Sequence, residues 1–304
     1  MKNNILNCHL CNYRSKKKIV ASSVYGDKKG NRNFYLCEKC DVRFLFPQLS
    51  KEDEAKFYAK EFEKFMDSRS GEQTGWLNTN RHIKQNRETF ERRYKFLKPY
   101  LKPKSSILEI GCSSGFMLFP LLKRNFKCIG IEPSGVFNKF LKNKKVEVFS
   151  NVEQLEKELP YKKFDLIMHF FVLEHISEPL VFLKKLLSLL NKNGIIIFEI
   201  PNVSDPLHTI YKNESFEKFY WSIAHHWYFS DKSLNFLLKK LKKKFKILYD
   251  QRYDLSNHMI WARDKIPGGS KRFTKFLGKE LEENYKKNLV KTKFCDTLWG
   301  VIKK

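Results

Sequence analysis

From residue 105 onward, short apolar runs alternate with stretches whose apolar positions recur every three to four residues. Ile107-Leu108-Glu109-Ile110, Cys128-Ile129-Gly130-Ile131, Val146-Glu147-Val148-Phe149, Phe164 to His169 and Ile195 to Ile200 predict five strands. Phe116 to Leu122 and Pro179 to Leu190 predict helices between them. Strands alternating with helices signal parallel βαβ units, an α/β architecture. After a helix over Ser230 to Leu241, Phe245–Asp250 and His258–Ala262 read as a closing antiparallel pair. Upstream, Arg81 to Tyr100 reads as a helix with Ile83, Phe90, Tyr94 and Leu97 inward, closed by Pro99 and Pro103. Phe57, Tyr58, Phe62 and Phe65 recur at helical spacing and predict one buried stripe, followed by a polar, loop-like Gly71 to Asn80. Beyond Pro267-Gly268-Gly269, the spacing of Phe273, Phe276, Leu277 and Leu281 predicts a helix docked on the core; a solvated basic tail is the alternative.

Composition adds a charge argument. The 304 residues carry 59 Lys+Arg against 33 Asp+Glu, a net +26. Such a balance suggests anionic partners: nucleic acid, an acidic surface or a phosphorylated small molecule. The excess is spread along the whole chain, which weakens the nucleic-acid case. No run approaches the roughly 18 uncharged apolar residues of a membrane span, and the start, MKNNILNCHLC, lacks the apolar stretch of a signal peptide. The expected place is the bacterial cytoplasm, where paired cysteines more often hold metal than form disulfides.

Cys8-x2-Cys11 and Cys37-x2-Cys40 have the spacing of two zinc knuckles. Two residues between thiolates let both sulfurs of a tight turn face one ion, and two such turns complete a tetrahedral Zn²⁺ shell. A unit of under 50 residues needs a staple of this kind. Four protein ligands close the shell, so the zinc is expected to be structural.

The strand at 107–110 runs into Gly111-Cys112-Ser113-Ser114-Gly115 and then a helix, and the next strand ends at Glu132. Glycines there let the backbone pass close to a ligand at a helix N-terminus. An acid one strand later can accept from two ribose hydroxyls. The turn is G-x-x-x-G, not the G-x-G-x-x-G that packs a pyrophosphate, and Glu109 at its mouth would repel phosphate while pairing with an ammonium. S-adenosylmethionine has an ammonium and a ribose, and no phosphate.

ILEIGCSSGF, CIGIEPSG, FDLIMHFFVLEHISEP and NKNGIIIFEIPN resemble the successive motifs of class I S-adenosylmethionine-dependent methyltransferases over about residues 105–262. The N-terminal CHLC and YLCEKCDVRFLFP segments and HHWYFSDKSL further resemble a subgroup with a zinc ribbon, which includes C-methyltransferases of nucleotide-linked deoxysugars. The resemblance implies a Rossmann-like seven-stranded sheet with helices on both faces. It divides the chain into a zinc ribbon (1–48), a helical linker or lid (49–104), the methyltransferase domain (105–264) and a basic helical C-terminal extension (265–304). It implies that Glu109, Gly111, Cys112 and Gly115 line the methionine side, Glu132 the ribose, and Asn151 and Val152 the adenine. His169, which leaves the fourth strand at the same edge, is also expected to bind the cofactor. Where this chain has Cys112-Ser113-Ser114, family members often carry Asp or Gly.

Methyl transfer from a sulfonium needs alignment, exclusion of water and, for some acceptors, a base near neutrality. Candidates are His169, Glu174 and His175 after the fourth strand, and His225, His226 and Tyr228 after the fifth. For Glu174-His175 a helix cap with packing is the competing reading, and for His225-His226 aromatic packing. The resemblance favours His226, then Tyr228. The expected acceptor is a small phosphorylated metabolite, a sugar nucleotide or other precursor of capsule or lipopolysaccharide, a phosphoramidate-type group included. The alternative is an RNA methyltransferase that grips nucleic acid with its ribbon and basic surface; the ribbon's lack of a dense Arg and aromatic face speaks against it.

Overall fold

The computed structural model describes residues 5–57, 65 and 78–304. Each cysteine pair sits at the tip of a hairpin. β1 (Ile5–Asn7) pairs antiparallel with β2 (Arg14–Lys16) around Cys8 and Cys11. β4 (Asn33–Leu36) pairs with β5 (Arg43–Phe46) around Cys37 and Cys40, and β3 (Ile19–Ala21) lies on the other side of β4. The two knuckles are the same turn built twice. Asn12 and Asp41 adopt left-handed φ of 58° and 62°, and each N–H donates at 2.7 Å to the carbonyl of the cysteine four residues earlier. Asn and Asp tolerate that conformation better than most side chains.

The central sheet holds seven strands: β6 (Ser106–Ile110), β7 (Lys127–Ile131), β8 (Val148–Phe149), β9 (Phe164–Phe170), β10 (Leu190–Pro201), β12 (Phe245–Asp250) and β13 (Thr297–Lys303). Their order is β12-β13-β10-β9-β6-β7-β8. β13 runs antiparallel to both its neighbours and the other pairings are parallel. Helices 87–97, 118–122 and 135–143 cover one face with a core that includes Phe90, Leu97, Leu118, Leu121 and Leu141. Helices 152–158, 179–188 and 231–239 cover the other with Leu155, Leu183, Leu186, Leu234 and Leu237. The α/β sheet with helices on both faces is as expected.

The expected partner of β12 is not. Residues 255–264 form a helix: Asp254 accepts from the Asn257 N–H at 2.9 Å and caps it, while Ile260 and Trp261 bury one side. The pair is made instead by β13, after the C-terminal helix 279–292. The sheet therefore closes through the tail and does not end at residue 264. The run Thr297-Leu298-Trp299-Gly300-Val301-Ile302 is wholly buried, as an interior strand must be.

The ribbon is not a separate module either. β11 (Trp227–Tyr228) pairs with β5, making a four-stranded sheet of β11-β5-β4-β3. The helix expected over 81–100 is two, Thr79–Gln85 and Arg87–Leu97, broken at Asn86, whose amide donates to the His82 carbonyl at 2.9 Å. Phe57 meets Phe65 edge to face at 5.3 Å; Tyr58 and Phe62 lie outside the described residues.

Candidate active site

The carboxyl ends of β6 to β10 open on one cavity of about 2000 Å³, the edge at which open α/β sheets bind ligands. Gly111, at φ +69°, carries the chain past Val172: a Cβ there would stand 2.9 Å from Val172 Cγ2. Glycine is the residue that fits such a turn. Glu109 precedes it, buried, and its Oε2 has no hydrogen-bond partner among the described residues. Burial holds its carboxyl well above the usual range; Arg93 opposes the shift and Glu132 adds to it. Glu132, at the end of β7, accepts from the Ser113 N–H at 2.6 Å and the Ser134 N–H at 2.8 Å. An orphaned buried carboxylate oxygen beside a close-packed glycine turn fits a ligand that brings a cation; both oxygens of the second acid accept from backbone N–H groups.

Gly111 and Ser113 line the cavity, as do Glu109, Glu132, Asn151 and Val152. Asn151 also caps helix 152–158, accepting from the Gln154 N–H at 2.8 Å. Three expected cofactor residues sit elsewhere. Cys112 turns its thiol into the core, where a Cβ on Gly130 would meet it at 2.6 Å. Gly115 packs under Leu141 and Phe119. His169 is fully buried and stacks on Phe198 at 4.9 Å, with planes 5° apart. Burial lowers its pKa to about 3, so it is a neutral core residue. The β9 alternation turns it away from the cavity.

Also lining the cavity, the single helical turn 173–175 brings Glu174 and His175 against His225. One donor atom from each lies within 4.8 Å of the others. The two imidazoles meet edge to face at 4.6 Å. The His226 N–H donates to the Glu174 carbonyl at 2.9 Å, which fixes the two segments together. His226 itself does not line the cavity: it is 1% exposed, with Nε2 3.5 Å from Glu54 Oε1. Glu54 does line it. Tyr228 is a core residue; its hydroxyl donates to the Tyr220 carbonyl and accepts from the Ser222 N–H at 3.0 Å. Aromatic packing therefore describes Tyr228, and His225 is the imidazole of that pair that faces the cavity.

Several cavity residues gave no sequence signal. His82 Nδ1 is 2.8 Å from Ser114 Oγ, and burial lowers the ring's pKa to about 4. Arg92 and Arg93 hold the buried Glu199 at 2.5 and 2.7 Å, and the Arg93 guanidinium lies 4.1 Å over the Phe170 ring. Asp205, pushed up to about 8 by burial and then by Asp296, lines the cavity with Asp296 and Arg252. These groups come from distant segments, and no local spacing marks them.

The methyltransferase-domain family matches residues 81–241, over half of the chain. The chain belongs to this family. Residues 81–241 are a methyltransferase domain. Among curated relatives, a tRNA U34 carboxymethyltransferase of Nautilia profundicola is 32% identical over 117 residues, 35% of this chain and 38% of that protein. Its counterpart in a Sulfurovum species is 33% identical over 116 residues, 35% and 38%. The chain thus spans under half the length of these relatives. Among solved structures, a methyltransferase from Archaeoglobus fulgidus superposes with TM-score 0.48 at 23% identity, covering 72% of this chain and 94% of that one. The plantazolicin methyltransferase BamL with SAH bound gives 0.46 at 17%, covering 83% and 94%.

Away from this cavity, the methyltransferase gathers its four N-terminal cysteines. Cys8 and Cys40 sulfurs lie 3.7 Å apart, and those of Cys11 and Cys37 3.5 Å. A tetrahedral ion with Zn–S bonds of about 2.3 Å needs sulfurs about 3.8 Å apart. The donor set fits a closed zinc site. No helix among the described residues is long and apolar enough to cross a membrane.

Proposed function

We propose that this methyltransferase modifies RNA, with a nucleotide of the acceptor entering the half of the cavity that holds Glu174, His175 and His225. One observation carries the reading: Phe171, Phe216, Phe219, Tyr220 and Tyr253 line the cavity together with Lys185, Lys271, Lys279 and Lys286. Aromatic faces stack unpaired bases, and lysines around them hold phosphates. The names of the curated relatives support the same acceptor class. In this reading the chain works in the cytosol, and the ribbon's zinc is structural.

Within the cavity, Glu109 takes the ammonium of S-adenosylmethionine, Glu132 its ribose hydroxyls, and Asn151 and Val152 flank the adenine. The sulfonium supplies an activated leaving group, so the protein's work is alignment and dehydration. Tritiated S-adenosylmethionine incubated with unmodified tRNA should label the RNA, and RNA affinity should fall steeply with salt. Label that appears on nucleotide sugars and never on RNA overturns the reading.

A second reading, a sugar nucleotide or other phosphorylated glycan precursor, rests on its own observation. One edge of the ribbon's sheet is taken by β11, which builds the ribbon into the body of the protein. Asp205, Asp254, Glu282 and Glu283 also line the cavity, and carboxylates suit sugar hydroxyls better than a phosphate chain.

A further inference from the structure

Glu174, His175 and His225 form a second cluster of metal-ligating side chains, remote in sequence from the cysteines. We infer that these three bind a divalent cation at the acceptor end of the cavity. Two imidazoles and one carboxylate are the donor set of zinc, iron and manganese sites. The three reach one another within 4.8 Å. Metal–ligand bonds of about 2.1 Å place neighbouring donors about 3 Å apart, so binding draws them inward by an ångström or two at most.

The hydrogen bond behind the cluster fixes the tautomer of His175. His175 Nδ1 lies 2.8 Å from the Ala224 carbonyl oxygen. A carbonyl only accepts, so Nδ1 carries the proton and Nε2 keeps its lone pair. A backbone carbonyl holding the far nitrogen is the arrangement that orients metal-ligating histidines. Ala224 is also the residue before His225, so one short segment supplies both a ligand and the group that orients another. The His226 N–H bond to the Glu174 carbonyl ties the third ligand to that segment.

All three residues line the cavity. Three protein ligands leave open positions toward it, where an acceptor oxygen, hydroxyl or phosphate, would complete the shell. The cysteine site has four ligands and no such opening. This cation site is independent of whether the acceptor is RNA or a sugar nucleotide.

The test is titration of Mn²⁺ into full-length, zinc-loaded protein, followed by the loss of the free-ion electron paramagnetic resonance signal. Wild type should take up one Mn²⁺ per chain beyond its zinc. Glu174→Gln and His225→Ala should each weaken uptake by about tenfold or more, while calorimetry shows that both still bind S-adenosylmethionine. Wild type that leaves the Mn²⁺ signal unsaturated overturns the site on its own, whatever the variants do. So does uptake that is equal in wild type and both variants. Neither result touches the RNA reading, which fails only on the labelling assay.

Discussion

Glu132 holds the Ser113 N–H at 2.6 Å, across the gap between the ends of β7 and β6. With the Ser134 N–H on its other oxygen, the acid fastens the glycine turn and begins the next helix at once. A residue expected only to meet a ribose thus also holds the loop that shapes the methionine end. Charge-assisted hydrogen bonds are worth about 1.5–3 kcal/mol each. Glu132→Gln turns one acceptor into a donor facing an N–H, so S-adenosylmethionine affinity should fall roughly 10- to 100-fold. Calorimetry checks this; unchanged affinity would remove Glu132 from the cofactor site.

The buried Glu109 sets a pH dependence. Its pKa in the folded protein is raised by burial, so the carboxyl is neutral below that value. Binding an ammonium favours the carboxylate, and complex formation then releases a proton. Affinity should therefore rise with pH through the folded-state pKa, until the ligand's own amine deprotonates near about 8. Glu109→Gln should lower affinity and flatten the slope. Affinity that falls as pH rises, or a slope that survives the substitution, contradicts the assignment.

Arg92, Arg93 and Glu199 make a buried network under the cavity floor, with Glu199 fully inaccessible. Glu199→Gln removes the carboxylate that both guanidinium groups share and leaves Arg92 its pair with Asp250. Breaking a buried pair from one side costs about 3–5 kcal/mol. Urea unfolding should show a loss of that order; a loss below about 1 kcal/mol would mean the arginines find other partners.

The ribbon is coupled to the acceptor end through β5 and β11, because β11 directly follows His225 and His226. Removing zinc with a chelator, or Cys37→Ser, should lower the melting temperature by at least about 5 °C. Turnover should drop before S-adenosylmethionine affinity does, since β11 follows His225 directly while the glycine turn is held by Glu132. Equal loss of both would show that the ribbon supports the whole domain.

Local chemistry made the central parts legible. The two cysteine pairs meet in one cluster, and the glycine turn stands beside the acids at the strand ends. Side chains chosen by proximity to a motif fared differently. His169 follows the strand alternation into the core, and Tyr228 spends its hydroxyl on backbone groups. His258–Ala262 looked like a strand because Met259-Ile260-Trp261 is apolar, yet the Asp254 cap turned it into a helix. The Arg93–Glu199 and Asp205–Asp296 relationships link segments that only the folded sheet brings together.

The strand that closes the sheet offers the sharpest test of the fold. At Gly300, in β13, a Cβ would stand 2.1 Å from Phe198 Cζ, on the ring that stacks His169. Phe198 is fully buried between two layers, so it has nowhere to retreat. Gly300→Ala should overpack the site and cost about 1–3 kcal/mol. The cause is one ring, so Phe198→Leu in the same chain should recover part of the loss, a coupling that distant sites do not show. Urea unfolding of the two single variants and the double variant measures it. Strict additivity would mean that residues 297–303 do not lie against β10, and the seven-stranded order would be wrong.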